Sequence, residues 1–372
     1  MQIENGQPYI LVLGMGGTIS GISANADKPL QYQAGQVSVD TLLQTAGFAA
    51  AGELKVLSRQ VANIDSQNLT HAHLTELGEC VSRALDDPWL QGLVITHGTD
   101  TMEETAIFLH LTCGHKARRA GKRVVLTGAM LPSNARQSDG PQNLSDAVTW
   151  ASATVDGCPG GVYGVFAGKV CLGWDLSKRH ATDLDAPLQA AFCSAVDALD
   201  PAWLSVVKSP HLPLANDLPI PPSDAWPWVE ILTSHAGARA ESMQQLLGSG
   251  VQGLVVAGTG LGGFHSAWAA GLQSAARQGI AVVRSSRAGA GVVSQDIPDK
   301  ELKGMVAAGN LSAPKARIAL QLALYAVTRS SDSAGLSVWQ DVFVNSRCAT
   351  SIFPHVPFSW RTREHGSVLP SG

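Results

Sequence analysis

The chain has little charge, few aromatic side chains and no long apolar run. Of its 372 residues, 15% are charged and 6% are aromatic, whereas 45% are hydrophobic. The formal net charge of -4 gives no electrostatic reason to expect a nucleic-acid partner. No apolar run approaches the roughly 18 residues that a membrane-spanning helix needs. The composition therefore favours a large folded core and predicts binding to neither nucleic acid nor a membrane.

Cysteine is also scarce, and its spacing does not match a metal-binding motif. The six cysteines are scattered over positions 80, 113, 158, 171, 193 and 348. The opening segment from Met1 to Pro8 is short and polar, and strand-like sequence follows it at once, unlike a secretory signal. We therefore expect reduced thiols in a cytoplasmic protein.

Short apolar runs alternate with amphipathic stretches through the first half of the chain. The runs that indicate buried strands are residues 9–13, 54–60, 93–95, 123–126 and 161–166. The stretches with helical spacing are residues 39–45, 70–85, 101–111 and 142–152. Such alternation predicts a parallel sheet covered by helices on both faces.

A proline-rich stretch, residues 209–227, separates this half from a second α/β pattern. Proline disrupts helices and central strands, so the stretch predicts an extended linker. Beyond it, strands are expected at 229–232, 253–256 and 281–283 and helices at 238–247, 266–277 and 314–326. We predict a large Rossmann- or flavodoxin-like N-terminal domain (1–208), the linker, and a smaller C-terminal α/β domain (228–329). The tail (330–372) lacks clear periodicity, although 338–344 fits a short strand or helix.

Two threonine-bearing turns carry the chemistry that the sequence suggests. Gly16-Gly17-Thr18-Ile19 and His97-Gly98-Thr99-Asp100-Thr101 each follow a predicted buried strand. Open α/β sheets bind ligands beyond the carboxyl ends of their parallel strands. Two hydroxyls and a carboxylate are therefore expected to meet in one crevice, an arrangement that suits hydrolysis by a threonine nucleophile.

Each turn also has a structural explanation. The first fits a plain strand-to-loop turn or a phosphate cradle, but Ile19 stands where a dinucleotide fingerprint needs its third glycine. In the second, Thr99 or Asp100 is placed to cap a helix that begins near Thr101, and Thr101 to Glu104 fits a capping box. Taken singly, neither turn decides between structure and function.

Longer motifs extend the pattern and together resemble the bacterial-type L-asparaginases. The second turn lies within Ile95-Thr96-His97-Gly98-Thr99-Asp100-Thr101-Met102-Glu103-Glu104-Thr105-Ala106, which is similar to a long signature block of that family. The other matching segments are Gly16 to Ile19, Thr127 to Met130, Ser138 to Leu144, Ala257 to Gly260, Val283 to Arg287 and Pro314 to Arg317. They keep the family's order from about residue 9 to 327, and they imply its two-domain α/β fold.

The resemblance assigns catalytic roles to particular residues of this chain. It implies that Thr18 attacks the side-chain amide of the substrate and that Tyr32, on a mobile loop, helps to activate it. It also implies a second group formed by Thr99, Asp100 and Lys178. An ammonium beside Thr99 lowers the energy of a deprotonated hydroxyl and of developing oxyanion charge. The structural alternatives are that Tyr32 is an ordinary loop aromatic and that Lys178, like Arg179, is a surface cation.

The resemblance further implies which residues bind the substrate. Asp100 would pair with the α-ammonium group, while Ser66 and Gln67 would bind the α-carboxylate. A hydroxyl and an amide are suitable donors for that anion, although the same segment fits a helix cap before Leu69. No metal or nucleotide cofactor is implied.

The chain departs from the family pattern at three places. Met15 precedes the glycine pair, where relatives often have threonine. In many relatives the neighbouring subunit supplies an asparagine and a glutamate, but the matching stretches here are Gly260-Leu261-Gly262-Gly263-Phe264 and Gln295-Asp296-Ile297-Pro298-Asp299. The resemblance therefore leaves the order of preference between asparagine and glutamine open.

The sequence thus predicts a hydrolase that converts L-asparagine and water into L-aspartate and ammonia through a threonine acyl-enzyme. The family's active site lies between subunits, so a homodimer or homotetramer is expected. Two alternatives stay open: a glutaminase-asparaginase or other amidase of the same family, and a non-catalytic α/β protein that binds an amino acid or a nucleotide.

Overall fold

Strands and helices alternate along the part of the chain that the computed structural model describes. This part comprises residues 6–28, 30–48, 55–153, 159–178, 180–182, 193–194, 216–289, 291–295, 302, 304–329 and 335–344. The strands are β1 (Tyr9–Gly16), β2 (Ile22–Ser23), β3 (Tyr32–Gln33), β4 (Lys55–Ile64), β5 (Leu90–Thr96), β6 (Arg123–Thr127), β7 (Gly161–Phe166), β8 (Lys169–Leu172), β9 (Cys193–Ser194), β10 (Val229–Thr233), β11 (Gly253–Gly258), β12 (Ala281–Ser286) and β13 (Val306–Ala307). The α-helices are α1 (Val39–Thr45), α2 (His71–Leu85), α3 (Met102–Arg119), α4 (Gly140–Ser152), α5 (Ala240–Gly248), α6 (Ala269–Arg277), α7 (Ala313–Arg329) and α8 (Gly335–Val344).

The larger sheet has the strand order β4-β1-β5-β6-β7-β8-β9. The five strands from β4 to β7 run parallel, which confirms the α/β class and the predicted parallel sheet. Strand β8 then pairs antiparallel with β7. The loop between them is Ala167-Gly168, and both residues have positive φ (49° and 68°), which suits a tight hairpin turn.

Helices cover both faces of this sheet, as the alternating pattern predicts. On one face, Leu74 and Phe108 of α2 and α3 pack with Leu13 in one hydrophobic cluster. On the other face, Leu42 of α1 and Trp150 of α4 pack in a second cluster. The helix boundaries follow local chemistry: Thr70 and His73 form a capping box at the start of α2.

The second half of the chain forms its own four-stranded parallel sheet, in the order β10-β11-β12-β13. Helices α5 and α6 cover one face, where Met243 and Trp268 are buried. Helix α7 covers the other face and contributes Leu320 to the same cluster as Phe108 and Val255. The two sheets therefore share one continuous hydrophobic core through α3 and α7.

The described part of the predicted linker, residues 216–227, packs along helices α2 and α3. Trp226 stacks on His71 with ring centroids 4.4 Å apart, and its indole nitrogen donates to Thr75 Oγ1 at 3.1 Å. Thr75 Oγ1 in turn donates to the carbonyl of Pro221 at 2.8 Å. Residues 209–215 lie outside the described residues, so the linker and domain boundaries stay predictions.

The tail contains one described element, the helix α8, which extends over the stretch that fits a strand or helix by sequence. Trp339 and Phe343 of this helix are buried, so α8 belongs to the packed structure. Residues 345–372 lie outside the described part. None of the described helices is long and apolar enough to cross a membrane.

The strand register places the chemistry-bearing turns side by side. Gly16 of β1 is paired with Ile64 of β4, and Gly14 of β1 with Thr96 of β5. Thr96 is paired in turn with Thr127 of β6. The loops that follow β1, β4, β5 and β6 therefore leave the sheet at one edge, its carboxyl edge, as expected for a ligand-binding crevice.

Candidate active site

The two threonine-bearing turns touch each other through their glycines. Gly17 has φ 85°, and a Cβ atom at this position would collide with the backbone of Gly98. A Cβ atom on Gly98 would lie 2.5 Å from Ser66 Oγ. Because glycine has no side chain, the turns after β1 and β5 can approach backbone to backbone, and the Ser66 side chain of the turn after β4 can pack on Gly98. The sequence motif Gly-Gly-Thr thus serves a close approach between loops as well as a change of direction.

Thr18 lies directly after this contact and is paired with a phenol. Its hydroxyl, on a residue 9% exposed, is 2.7 Å from the hydroxyl of Tyr32. Tyr32 lies on the short hairpin of β2 and β3, where it is the register partner of Ser23. Either hydroxyl can donate to the other. The structure therefore brings together the two residues that the sequence motifs single out as nucleophile and activator.

Thr99, Asp100 and Lys178 form a second group. Lys178 Nζ donates to Thr99 Oγ1 at 3.0 Å and to Asp100 Oδ1 at 2.6 Å. The Thr99 hydroxyl also lies 3.8 Å from Met130 Sδ, a weak acceptor for its proton. The Lys178 ammonium stabilises negative charge on Thr99 Oγ1, and the Met130 thioether, as a weak acceptor, does little to hold the hydroxyl proton. Both effects lower the cost of deprotonating Thr99. Because Lys178 makes these two hydrogen bonds, it is not merely a surface cation. Arg179, the adjacent cation, lies outside the described residues.

The members of this group differ in their exposure to solvent. Thr99 is 4% exposed, whereas the Asp100 side chain is 57% exposed. The carboxylate can therefore reach a small molecule in solution while it remains paired with Lys178. A ligand ammonium group is a suitable second partner for that carboxylate.

Ser66 and Gln67 occupy different positions in the site. Ser66 is buried against Gly98 and so touches the turn that carries Thr99. Gln67 is exposed, and its side-chain amide donates to Asp65 Oδ2 at 3.0 Å. The structure therefore brings Ser66 to the crevice but turns the Gln67 amide towards Asp65. Asp65, not Ser66, caps the short 3-10 helix Ser66–Asn68, so the capping alternative for Ser66 is wrong.

The capping explanation of the second turn is also wrong. Thr101 is the residue before α3, but its side chain makes no capping hydrogen bond. Its hydroxyl instead donates to the carbonyl of Ser66 at 2.9 Å. The turn after β5 is thus tied to the turn after β4, which leaves Thr99 and Asp100 available to Lys178.

His97 and Asp139 are two residues of the site to which the sequence motifs alone assign no role. His97 is fully buried; its Nδ1 donates to the Gly98 carbonyl at 2.7 Å, and its Nε2 accepts from Thr105 Oγ1 at 2.9 Å. Burial lowers the pKa of His97 to about 4, so the ring is neutral near pH 7. A neutral ring with one donor and one acceptor fits these two partners and fixes the carbonyl beside Thr99.

Asp139 fixes the loop that faces Thr99 from strand β6. Its carboxylate accepts from the backbone nitrogens of Met130 and Leu131, each at 2.9 Å, and from Asn143 Nδ2 at 3.1 Å. Both Asp139 and Asn143 belong to the motif from Ser138 to Leu144, so the sequence did indicate that this segment belongs to the site. The sequence carried no sign that the carboxylate would turn back to this loop instead of capping α4.

Within the described ranges, no group of three histidine, cysteine, aspartate or glutamate side chains is placed to hold a metal ion. Cys80, Cys113 and Cys171 are buried free thiols, and burial raises the pKa of Cys113 and Cys171 to about 12. These thiols are therefore inert core residues and not candidate nucleophiles.

Comparison with known proteins agrees with this two-sheet fold and its paired turns. The family described as "Asparaginase, N-terminal" matches residues 9–200, and "Glutaminase/Asparaginase C-terminal domain" matches residues 228–334. The chain belongs to the asparaginase family of hydrolases. The resemblance seen in the sequence motifs is thereby confirmed.

Individual relatives cover nearly the whole chain. L-asparaginase 2 of Escherichia coli is 36% identical over 85% of this chain and 89% of its own length. A probable periplasmic L-asparaginase of Haemophilus influenzae is 34% identical over 85% and 88%. Among solved structures, a probable cytoplasmic L-asparaginase of Campylobacter jejuni superimposes with a TM-score of 0.72 at 29% identity, covering 91% of this chain and all of the other.

Proposed function

We propose that the protein hydrolyses the side-chain amide of L-asparagine to L-aspartate and ammonia, with Thr18 as the nucleophile. One observation carries this proposal: two hydroxyls, each beside a group able to activate it, occupy turns in contact with each other. Thr18 is 2.7 Å from Tyr32, and Thr99 is 3.0 Å from Lys178. A hydroxyl needs such a neighbour because it is a weak nucleophile on its own.

In the first step, Thr18 Oγ1 attacks the amide carbon and its proton passes towards Tyr32 Oη. The phenol donates a proton to the departing nitrogen, so ammonia leaves and an ester between Thr18 and the aspartyl group remains. The tetrahedral state carries negative charge on the former amide oxygen. Donors fixed on the adjoining turns stabilise that charge most effectively because they need no reorganisation.

In the second step, water attacks the ester and regenerates Thr18. Thr99 and Lys178 are the groups that we assign to this water: the water proton passes to Thr99 Oγ1 while the Thr99 proton passes on to the departing Thr18 oxygen, and the Lys178 ammonium stabilises the negative charge that develops on Thr99 Oγ1 during this transfer. The products are L-aspartate and free enzyme, so atoms and charge balance over the two steps.

For substrate binding we assign Asp100 to the α-ammonium group and Ser66 and Gln67 to the α-carboxylate. Support comes from the exposure of the Asp100 carboxylate and from the contact between Ser66 and Gly98. An amide nitrogen has two N–H donors, so Gln67 can keep its bond to Asp65 Oδ2 and donate the second N–H to a ligand. We expect the amide to reorient when the substrate binds.

Glutamine is the competing substrate. A glutaminase-asparaginase of Pseudomonas fluorescens is 31% identical over 88% of this chain and 88% of its own length. Glutamine differs by one methylene, and a difference of that size changes selectivity by only about 10–200-fold. Steady-state ammonia release from each amino acid ranks the two substrates directly.

We also propose a homodimer or homotetramer and a cytoplasmic location. The oligomer is supported by Leu261, which is 63% exposed on the glycine-rich turn that matches the neighbouring subunit's contribution in relatives. The cytoplasmic location rests on the free thiols, whereas the names of the relatives include both periplasmic and cytoplasmic proteins. Sedimentation and cell fractionation test these two proposals.

The central experiment measures ammonia release by the purified protein and by Thr18→Ala. We expect release from L-asparagine by the wild type and a loss of at least about 1000-fold in the variant, because the nucleophile is removed. Ser242→Ala, which changes an exposed hydroxyl in α5, is the matched control. Release from neither amino acid would favour the non-catalytic alternative, and full activity of Thr18→Ala would exclude Thr18 as nucleophile.

A further inference from the structure

A buried lysine of the C-terminal domain contacts the segment that carries Lys178. Lys315, in the first turn of α7, is 3% exposed. Its Nζ donates to the carbonyls of Trp174 and Leu176, at 2.6 Å and 3.0 Å. Both carbonyls belong to the short turn just before Lys178. The chemistry proposed above does not use Lys315. Lys315 nevertheless binds the turn next to Lys178, which that chemistry does use.

The backbone of this turn is hydrogen-bonded by residues of both the N-terminal and the C-terminal domain. Its backbone nitrogens are bound by the N-terminal domain: Asp175 and Leu176 donate to the carbonyl of Leu172, at 2.9 Å and 3.0 Å. Two of its carbonyls are bound by Lys315 from α7. The position of the turn therefore depends on both domains.

A second contact from the C-terminal domain holds the same turn. The indole nitrogen of Trp174 donates to Asn310 Oδ1 at 3.0 Å. Below it, the fully buried side chain of Leu176 packs on Gly164, where a Cβ atom would collide with it. The turn is thus packed against β7 on one side and hydrogen-bonded to the C-terminal domain on the other.

We propose that Lys315, assisted by Asn310, is a positioning residue that holds Lys178 at hydrogen-bond distance from Thr99. The inference rests on the proposed role of Lys178 in the hydrolysis. A lysine has three donors, and an ammonium makes strong hydrogen bonds to carbonyls. Lys315 can therefore fix the turn, while the flexible stem of Lys178 cannot fix its own Nζ. A displacement of about 1 Å at a reacting group can cost about 100-fold in rate.

The proposal makes the C-terminal domain part of the catalytic apparatus of its own chain. Lys315 does not touch the substrate or the reacting atoms. It acts through the backbone of residues 174 and 176, so its effect is expected on the chemical step. Substrate affinity is assigned to Ser66, Gln67 and Asp100, of which Asp100 is linked to this turn through its salt bridge with Lys178, so we expect a smaller effect on affinity than on the chemical step.

Lys315→Met tests the proposal because it keeps the length of the side chain and removes its donors. We expect kcat for ammonia release to fall about 10–100-fold while KM stays within about threefold. Lys315→Arg, which retains donors, is expected to recover part of the loss. The matched control is Lys122→Met: Lys122 is 9% exposed and donates to the carbonyls of Leu85 and Asp87, away from the site. This control is expected to lose stability and to keep its kcat.

A double-mutant cycle with Lys178→Met separates positioning from general support of the fold. If Lys315 acts through Lys178, Lys315→Met has no further effect on the residual kcat of Lys178→Met. An equal loss in both backgrounds would show a purely structural role and overturn the proposal. If Lys315→Met does not fold, the same cycle with Asn310→Ala decides the question, with a smaller expected loss of kcat.

The cycle also separates this inference from the proposed function. Wild-type kcat in Lys178→Met would exclude Lys178 from the chemistry and remove the basis of both. Loss of kcat in Lys178→Met together with wild-type kcat in Lys315→Met and Asn310→Ala would leave the proposed function intact and overturn the positioning role alone.

Discussion

Gly17 and Gly98 lie so close together that neither can carry a side chain without moving the other. A Cβ atom on Gly17 would meet the Cα and N atoms of Gly98, and a Cβ on Gly98 would lie 3.1 Å from the Cα of Gly17. The residue after each glycine bears a candidate catalytic hydroxyl, Thr18 or Thr99. The distance between the two halves of the site is therefore set by contact between two backbones, which cannot rotate away as side chains can.

Gly17→Ala is expected to destroy both the packing and the activity. Gly17 has φ 85° and ψ -171°, a conformation that is nearly exclusive to glycine and costs an alanine about 1–3 kcal/mol, and the collision with the Gly98 backbone adds about 1–3 kcal/mol of overpacking. Gly47→Ala is the control for positive φ, because Gly47 also has φ 85° but, among the described residues other than its chain neighbours, no atom lies within 4 Å of where its Cβ would stand. Urea unfolding and ammonia release measure the two effects. Equal losses of stability in the two variants would contradict the contact.

Tyr32→Phe is expected to lower kcat by about 100–1000-fold without loss of stability, since it removes only the hydroxyl that faces Thr18. Tyr9→Phe, in strand β1 of the larger sheet, provides the opposite control. Tyr9 lies at the far end of β1 and donates to Asp87 at 2.7 Å, and burial together with Asp87 raises its pKa. This control should lose about 1–2 kcal/mol of stability and keep its kcat. A wild-type kcat for Tyr32→Phe would exclude the phenol from proton transfer.

Asp139→Asn is expected to disturb the loop that faces Thr99. The substitution replaces one acceptor oxygen by a donor, although the backbone nitrogens of Met130 and Leu131 both need an acceptor. We expect a loss of about 1–3 kcal/mol in stability and about 10-fold in kcat. Asp146→Asn within helix α4, where the carboxylate accepts from Gln142 Nε2 in an exposed pair, is the control. Similar losses in both variants would indicate a general effect on α4.

Thr18 and Thr99 each lie in a conspicuous local pattern of the sequence, whereas Lys178 follows only from the family resemblance. The parallel sheet is equally predictable, since buried strands and amphipathic helices have different periods. The threonine-bearing turns and the parallel sheet together place Thr18, Thr99 and Asp100 at the carboxyl edge of the sheet. The predicted and observed limits of β7 and of α1 agree fully, because each is a short element with clear flanking residues.

Contacts between distant segments are less predictable, because they depend on geometry that no local pattern records. Lys315, for example, reaches two carbonyls of the other predicted domain. The β2–β3 hairpin that carries Tyr32 has two residues in each strand, too few for a period to be visible. Strand β8 follows a turn with positive φ at Ala167, a conformation that alanine rarely adopts.

The buried ring of His97 predicts a loss of stability at mildly acidic pH. Its pKa is lowered by burial from 6.5 to about 4, so the folded state keeps the ring neutral where the unfolded chain is already protonated. The unfolded state then binds more protons, and the free energy of unfolding falls as the pH falls from 6.5 to about 4. A pKa difference of this size corresponds to about 3 kcal/mol in the free energy of unfolding. Above pH 6.5 the buried ring of His97 no longer lowers the free energy of unfolding. Below about pH 4 its effect on that free energy stops changing with pH.

His97→Gln isolates this contribution, because the amide stays neutral over the whole range and retains one donor and one acceptor. Other groups also titrate there: burial lowers the pKa of His71 and raises the pKa of Glu104 and Asp217. The relevant quantity is therefore the difference in unfolding free energy between wild type and variant, measured by urea unfolding from pH 7.5 to pH 4. We expect the wild type to lose its advantage over the variant progressively below pH 6.5. A difference that does not change with pH would contradict a neutral, buried His97 beside the catalytic turn.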